Sequence, residues 1–420
     1  MSPPLLLALC VVVFLLAMLR MPFPLALAAA AIVSGIAGTL EFPFRHLVEG
    51  GFGYLNLIIA LFAGAWFGQV ARQAGLADGF AQGLLRLTRA RPVLNLGALA
   101  VLLYAAGMFT GLAGVAVLTV GAFAAPVLRR LGLAPHDAAG FIALLATCGM
   151  IAPPVNLPAM MIADGVNMPF LNFDRSLYLI SVPVALFTVA LYARRCAAPG
   201  DGGQRDPGGD PRVHSAWLGA APLALVLGFW LVLRLLPDRV YDPGVPAVLG
   251  VTALLMLPLL GTRTARISIS AACSGTPLYL AAALIAVGML VQIMTLTGMR
   301  GWLVIQTMAS DAPWLLLLTL PIAGGVLTSA GAANVLGVPF AFAFIHQDMI
   351  INVSALSSIA AISEFMPPTA IGAALAGYVA GEANLLRIAR SALPSLALLF
   401  ALGMALIVFA KPLARFLTSS

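Results

Sequence analysis

The chain has 420 residues, of which 62% are hydrophobic and only 9% are charged, and its mean hydropathy is +1.05. A soluble domain carries about 25% charged residues, so this chain has too few charges to cover a surface that faces water. The composition excludes a soluble enzyme, a nucleic-acid-binding module and a disordered protein. It predicts an all-α membrane protein that crosses the lipid bilayer several times. The net charge of +7 is the charge of loop arginines and does not indicate a nucleic-acid partner.

Ten segments resemble transmembrane helices, which need about 20 apolar residues each. They are residues 4–19, 23–39, 54–75, 138–163, 176–193, 216–236, 244–260, 275–298, 349–380 and 391–411. The first is short, but no basic residue precedes it and no cleavage site follows it. We therefore expect it to be a retained helix and not a signal peptide.

Two further apolar stretches, residues 92–128 and 313–345, are too long for one span and short for two spans with a turn. Small or polar residues interrupt each one in the middle, namely Thr110, Gly111 and Gly114 in the first stretch and Ser329, Gly331 and Asn334 in the second. We predict that each stretch forms a re-entrant helical hairpin, which enters and leaves on the same side of the membrane.

The arginines support this topology. With two re-entrant hairpins, most of the 22 basic residues fall on one side, as expected for the cytoplasmic side. That side receives Arg20, Arg72, Arg86, Arg89, Arg91, Arg129, Arg130, Arg194, Arg195, Arg205, Arg212, Arg263, Arg266, Arg387 and Arg390. The other side receives Arg45, Arg175, Arg234, Arg239, Arg300, Lys411 and Arg415. Both termini are then outside the cytoplasm.

The chain divides into two similar halves. A polar linker at residues 199–215, rich in Gly, Pro and Asp, separates residues 1–198 from residues 216–420. The order is the same in each half: a helix, a hairpin, a helix broken by a Pro-Pro pair, and a final helix. The matched residues are Gln69 with Gln292, Gly75 with Gly298, and Pro153-Pro154 with Pro367-Pro368. Each half has five spans, so the second is inserted upside down, which is typical of secondary transporters.

The Pro-Pro pairs predict a binding site. Two adjacent prolines remove two backbone donors and stop a helix. Exposed backbone at bilayer depth is tolerated only where it faces protein or a wet cavity. The helix ends at the breaks and hairpin tips can hold an anion at their N-terminal ends and a cation at their carbonyl ends. A kinked helix that only packs is the alternative interpretation.

Several residues at these positions are candidate ligands. Asn156 follows the first Pro-Pro pair and either binds a ligand or caps the half-helix. Oxygen atoms of Thr328, Ser329 and Asn334 suit a hard cation. At the first tip, the backbone carbonyls of Thr110 and Gly111 could bind, while Gly114 permits close approach. Thr369 offers a hydroxyl group after the second Pro-Pro pair.

Glu364 is the sharpest single candidate, because it lies about one turn before Pro367 in an apolar segment. A carboxylate within the membrane is costly and marks a functional site by default. It could carry a proton, bind sodium or pair with an arginine. Alternatively, Glu364 lies in a water-filled vestibule, and its only effect is to keep water there.

At these residues the chain resembles the large membrane subunit of tripartite ATP-independent periplasmic (TRAP) transporters, within the ion-transporter superfamily. The resemblance covers Met21-Pro22, the tip at 107–121, residues 129–132, the GMIAPPVN stretch at 149–156 and MPPTAIG at 366–372. The run Ser363-Glu364-Phe365-Met366 departs from the Gly and Thr that usually precede the second Pro-Pro pair in that family.

The resemblance implies an elevator-type transporter of the bacterial inner membrane, in which both hairpins and both broken helices move against a fixed scaffold. It implies sodium as the coupling ion, no ATP and no other cofactor. It also implies a small carboxylate substrate, such as a dicarboxylate or sugar acid, a periplasmic substrate-binding protein and a small membrane subunit as partners. The residues expected to bind sodium are Thr110, Gly111, Asn156, Ser329 and Asn334.

Two other functions compete with this one. A stand-alone antiporter or exporter of the same superfamily would use Glu364 to carry protons. An intramembrane enzyme is disfavoured, because the sequence has no HExxH or GxSxG motif and no pair of aspartates on its spans.

Overall fold

The computed structural model describes residues 1–89, 91–196, 216–236, 239–260, 269–309 and 317–413. The predicted linker at 199–215 and the start of the second predicted hairpin, 313–316, lie outside these ranges. So do Arg205, Arg212, Arg263, Arg266 and Arg415 of the arginine distribution. Every regular element within the described ranges is a helix.

The helices of the first half are α1 (Pro3–Met18), α2 (Phe23–Thr39), α3 (Phe44–Phe52), α4 (Leu55–Gln73), α5 (Leu76–Leu87), α6 (Pro92–Thr110), α7 (Ala113–Arg130), α8 (Pro135–Ile151), α9 (Leu157–Gly165) and α10 (Asp174–Ala193). Those of the second half are α11 (Ala216–Leu235), α12 (Val245–Met256), α13 (Thr276–Leu296), α14 (Met299–Met308), α15 (Thr319–Ala332), α16 (Val338–Ala343), α17 (Met349–Ala361), α18 (Ile371–Ala380) and α19 (Leu385–Val408). Three short helices of other types are also present in the described ranges: Leu257–Leu259 and Ile362–Phe365 are 3₁₀-helices, and Ala333–Gly337 is a π-helix.

Within the described ranges, eight helices are long and apolar enough to cross a membrane: α4, α6, α7, α10, Trp217–Leu235, α13, Thr319–Ala343 and α19. The protein is therefore an all-α, multi-pass membrane protein. Five of these helices coincide with predicted spans, and the other predicted spans are occupied by shorter apolar helices. The remaining three lie in the two stretches predicted as hairpins.

The arms of the first predicted hairpin are longer than the sequence suggested. Helix α6 has 19 residues and α7 has 18, and only Gly111 and Leu112 separate them. Each arm is thus long enough for a full span. The re-entrant course of this hairpin stays a prediction, since length alone permits either course.

Glycines end helices at matched places in the two halves. Gly75 has φ +71° and lies between α4 and α5, and Gly298 has φ +74° and lies between α13 and α14. Glycine adopts this left-handed conformation without the steric cost that a Cβ atom brings. The pair matched in the sequence therefore forms the same kind of junction twice.

The centre of the molecule consists of α7, α8 and α17, whose residues are buried almost throughout. Large apolar side chains are exposed on outer helices instead; Leu16 of α1, Leu186 of α10 and Leu255 of α12 are 61%, 66% and 62% exposed. Such surfaces are stable when lipid covers them. Helices α7, α8 and α17, which adjoin the first tip and the two breaks, are therefore enclosed by the other helices.

Candidate functional site

Two helices are broken at the centre of the protein. Helix α8 ends at Ile151 and α9 begins at Leu157, and the 3₁₀ turn after α17 ends at Phe365 before α18 begins at Ile371. We call residues 152–156 the first break and residues 366–370 the second break. The Pro153–Pro154 and Pro367–Pro368 peptide bonds are both cis. The prolines thus interrupt each helix at the position expected from their missing donors.

The first tip, residues 111–114, lies against the first break. Gly111 has φ +66°, and a Cβ atom added there would lie 2.6 Å from Val155 Cγ1. Only glycine satisfies both the backbone conformation and the close approach. On the other side of the tip, a Cβ atom at Gly114 would lie 2.9 Å from Leu375 Cδ1 on α18.

The second tip, residues 328–330, is formed where Thr328 interrupts α15 with φ +67° and ψ +166°. The chain folds back there, because a Cβ atom added at Gly324 would lie only 3.3 Å from Ala332 Cβ, although eight residues of straight helix would separate them by about 12 Å. The Thr328 hydroxyl accepts a hydrogen bond from the Gly331 N–H at 3.3 Å. The interruption is thus at Thr328, and Gly331 lies within the second arm.

The second tip is attached to the second break. The backbone N–H and the hydroxyl group of Thr369 both donate to the Gly325 carbonyl, at 3.0 Å and 2.9 Å. Gly325 also packs directly on the Pro367 carbonyl. Each tip therefore lies against the break of its own half.

Each hairpin also packs on the half-helix of the other half. Helix α7 contacts α18, and the π-helix with α16 contacts α9. In the second of these contacts Gly165 packs on Val338, and a Cβ atom at Gly337 would lie 2.7 Å from Ile162 Cγ1. Both tips and both breaks therefore converge.

A central cavity lies where they converge, with a volume of about 30 Å³. It is lined by Leu57, Leu61, Gly111, Leu112, Ala113, Gly114, Val115, Met150, Leu157, Pro158, Leu284, Thr328, Ser329, Ala330, Glu364 and Ile371. This volume can hold a water molecule or a small ion. Helices α4 and α13 supply an apolar wall through Leu57, Leu61 and Leu284.

Glu364 is the titratable residue of this lining. It is 5% exposed, and its Oε1 accepts a hydrogen bond from the Ser329 hydroxyl at 2.5 Å. Its Oε2 is buried beside the Gly372 backbone at the start of α18 and has no hydrogen-bond partner among the described residues. A buried carboxylate with an unpaired oxygen is costly, and a bound cation or proton removes that cost. The cavity is therefore chemically suited to a small cation.

The predicted site residues separate into two groups. Gly111, Gly114, Thr328, Ser329 and Glu364 line the cavity. Pro153, Pro154, Pro367 and Pro368 form the breaks beside it. The remaining residues, Thr110, Asn156, Gly331, Asn334 and Thr369, lie outside the lining. Thr110 is one of these, and its hydroxyl donates to the Ala106 carbonyl at 2.7 Å within α6.

Asn156 is fully used as a helix cap. Its Oδ1 accepts from the Ala159 N–H at 3.0 Å, and its Nδ2 donates to the Ile151 carbonyl at 2.9 Å and to the Ser357 hydroxyl at 3.2 Å. Of the two roles considered for this residue, the structure shows the cap. Asn156 thus ties α9 to α17 across the first break.

Asn334 is held by an arginine that the sequence did not single out. Arg300 Nη2 donates to the Asn334 backbone oxygen at 2.7 Å and to its Oδ1 at 2.6 Å. The sequence offered one clue to this arginine: Arg300 lies two residues after Gly298, the glycine that matches Gly75 of the first half.

A second opening, with a volume of about 430 Å³, borders the second break. This vestibule is lined by residues that include Thr276, Tyr279, Pro368, Thr369, Tyr378 and Glu382. Tyr378 accepts a hydrogen bond from Gln69 Nε2 at 2.5 Å, and the Arg72 guanidinium lies 5.5 Å from its ring centroid. Arg72 belongs to the side that the arginine distribution predicts to be cytoplasmic.

No protein-family model matches this chain, and no curated protein matches it either.

Proposed function

We propose that this chain is the large membrane subunit of a TRAP transporter, which takes up a small carboxylate with sodium across the bacterial inner membrane. A periplasmic substrate-binding protein would deliver the carboxylate, and a small membrane subunit would brace the large one. Both termini would then be periplasmic.

The observation that carries this proposal is the convergence of two tips and two breaks on one cavity. Each hairpin contacts its own break and also the half-helix of the other half. Such a crosswise arrangement is what two inverted repeats produce when they share a midplane site. The matched glycine junctions at Gly75 and Gly298 further support the repeat.

The negative charge of Glu364 explains why binding of a carboxylate substrate would require sodium. Glu364 places a carboxylate at the cavity, and its Oε2 lacks a hydrogen-bond partner within the part of the chain that the structure describes. A second carboxylate from the substrate would be repelled at short range in a low dielectric. A cation between the two groups turns this repulsion into attraction, so substrate and sodium would bind together. Thr328 and Ser329, which line the same cavity, would supply further oxygen ligands.

The size of the cavity supports a moving transporter. A volume of about 30 Å³ is far below the roughly 300–1,000 Å³ of ligand pockets, so the substrate cannot bind unless the tips or the scaffold move. The apolar wall of Leu57, Leu61 and Leu284 forms few directional bonds and suits a sliding contact. The vestibule beside Tyr378 supports a state that faces the cytoplasm.

The test is uptake by proteoliposomes that contain this chain together with the proposed small membrane subunit, to which the substrate-binding protein is added. Labelled succinate and gluconate represent dicarboxylates and sugar acids. We expect uptake under an inward sodium gradient, little uptake with choline in place of sodium, and none without the binding protein. Equal uptake with sodium and choline would contradict sodium coupling.

A stand-alone antiporter is the second candidate, and the unpartnered Oε2 of Glu364 is the observation that favours it. A carboxyl group of this kind can carry a proton as readily as it binds sodium. Transport that follows a pH gradient without the binding protein, and that Glu364→Gln abolishes, would favour the antiporter.

A further inference from the structure

Arg300 holds the second hairpin just behind its tip. It lies at the start of α14 and is half-buried. One guanidinium nitrogen donates to both oxygens of Asn334, at 2.7 Å and 2.6 Å. Asn334 lies in the π-helix Ala333–Gly337, six residues after the interruption at Thr328. A charged side chain thus fixes the arm that carries the second tip.

The partners of Arg300 are neutral. Among the described residues, it forms no ion pair with a carboxylate. Both of its acceptors on Asn334 are amide oxygens. A guanidinium group binds a carboxylate of opposite charge through two parallel hydrogen bonds, whereas the two neutral oxygens of Asn334 share a single guanidinium nitrogen. A carboxylate that reached Arg300 would therefore displace Asn334.

Loss of the contact between Arg300 and Asn334 would loosen the second hairpin at its π-helix. A π-helix lacks the regular hydrogen bonds of an α-helix and often marks a functional site. Without Arg300, the Asn334 carbonyl would lose its donor. The Ser329–Glu364 hydrogen bond, the contacts of Gly325 and the packing of Gly331 on Tyr54 and Val287 would then be left to hold the second tip at the cavity.

We propose that Arg300 is a carboxylate receptor and the latch of the second hairpin. An incoming carboxylate takes the guanidinium group from Asn334, and the second tip then moves away from the central cavity. This proposal rests on the proposed function for the direction of entry, because the arginine distribution predicts that Arg300 faces the side where a binding protein docks.

Two substitutions of Asn334 should have opposite effects on the second tip. Asn334→Ala removes the side-chain acceptor and weakens the latch, so the second tip should open without a carboxylate. Asn334→Asp supplies an internal carboxylate of nearly the same shape, so the latch should stay closed. A loss of folding would not move the tip in opposite directions in the two variants.

The experiment measures labelling of a cysteine at the second tip. Ala330 lines the cavity and is 4% exposed. Ala330→Cys is introduced after the four native cysteines, Cys10, Cys148, Cys196 and Cys273, have been replaced by serine. A membrane-impermeant maleimide is added to proteoliposomes in the presence of sodium succinate, sodium gluconate or sodium chloride.

We expect succinate or gluconate to raise the labelling rate about tenfold over chloride, which corresponds to about 1.4 kcal/mol for opening of the second tip. Asn334→Ala should label fast in chloride, Asn334→Asp should label slowly in every salt, and Arg300→Gln should not respond to carboxylates. Arg45→Gln, at an arginine 85% exposed and paired with Glu49, should respond like the parent protein.

The outcomes separate this inference from the proposed function. If the parent protein takes up succinate or gluconate but neither changes its labelling rate, the latch is wrong and the transporter stands. If the rate responds and Arg300→Gln abolishes the response, the latch stands even when no uptake is found. Labelling that changes in the same direction in Asn334→Ala and Asn334→Asp would also overturn the latch.

Discussion

The first tip offers the sharpest test of the geometry, through Gly111→Ala. A Cβ atom at this position would lie 2.6 Å from Val155 Cγ1, and the backbone has φ +66°. The left-handed conformation costs a residue with a Cβ atom about 1–2 kcal/mol. Overpacking against Val155 adds about 1–3 kcal/mol. We therefore expect Gly111→Ala to destabilise the protein by about 2–5 kcal/mol.

A second substitution separates the two contributions. Val155→Ala in the Gly111→Ala background makes room for the new Cβ atom but leaves the backbone strain. The double variant should recover the overpacking cost and remain destabilised by about 1–2 kcal/mol relative to Val155→Ala alone. Gly97→Ala is the matched control, because Gly97 lies inside α6, the helix that ends just before Gly111, and no other described residue comes within 4 Å of a Cβ atom added there.

The assay is thermal unfolding of the purified variants in one detergent, followed by intrinsic fluorescence. Gly97→Ala should be neutral or slightly more stable, because alanine is favoured over glycine in a helix by about 1 kcal/mol. A Gly111→Ala variant as stable as the parent would refute the described contact between the first tip and the first break. So would a Gly97→Ala variant that is destabilised as much as Gly111→Ala.

Three further predictions concern polar contacts between helices. Asn156→Ala should lower stability by about 0.5–2 kcal/mol through loss of the cap, and Asn156→Ser, which keeps a capping oxygen without a charge, should recover part of it; equal losses would contradict the capping role. Asp137→Ala should cost about 1.5–3 kcal/mol, because Asp137 accepts from Arg195 at 2.7 Å and Ser391 at 2.6 Å; thermal unfolding without a loss would show that this contact is dispensable. Tyr378→Phe should cost about 0.5–1.5 kcal/mol by removing the acceptor of Gln69, and an unchanged unfolding temperature would argue against that bond.

The sequence predicted most accurately those structural features that depend on the residue itself and its neighbours in the chain. The Pro-Pro pairs interrupt their helices because proline lacks a donor, whatever surrounds it. The glycines matched at 75 and 298 form equivalent junctions for a similarly local reason. Thr328 was harder, because a β-branched residue rarely adopts positive φ, and the neighbouring Gly331 was the more natural place for a turn.

The sequence was least informative where partners come from distant helices. The Asn156 amide donates to Ser357, which is 201 residues away, and no local pattern reveals such a pair. The side chain of Asn334 has the right chemistry for a cation, but Arg300 uses its oxygen. Tertiary contacts thus decided which of the candidate oxygens remain free.

The convergence of tips and breaks and the choice of Glu364 as a candidate were accessible to sequence reasoning. Thr328 and Ser329 were expected near the second break because breaks and tips at matched repeat positions favour a shared site, although the tip itself was placed later in the chain, towards Gly331 and Asn334. The apolar wall was not expected, because Leu57, Leu61 and Leu284 look like ordinary membrane residues. Their role depends on the helices that they face.

The most direct test of the central claim asks whether the cavity binds sodium at Glu364. Thermal unfolding is compared in sodium chloride and in choline chloride at equal ionic strength, for the parent protein, Glu364→Gln and the control Glu49→Gln. Binding to the folded state alone stabilises it, by about 2.7 kcal/mol when sodium is at 100 times its Kd. The account predicts that sodium raises the unfolding temperature of the parent and of Glu49→Gln but not of Glu364→Gln. An equal response to sodium in all three proteins, or no response in the parent, would contradict it.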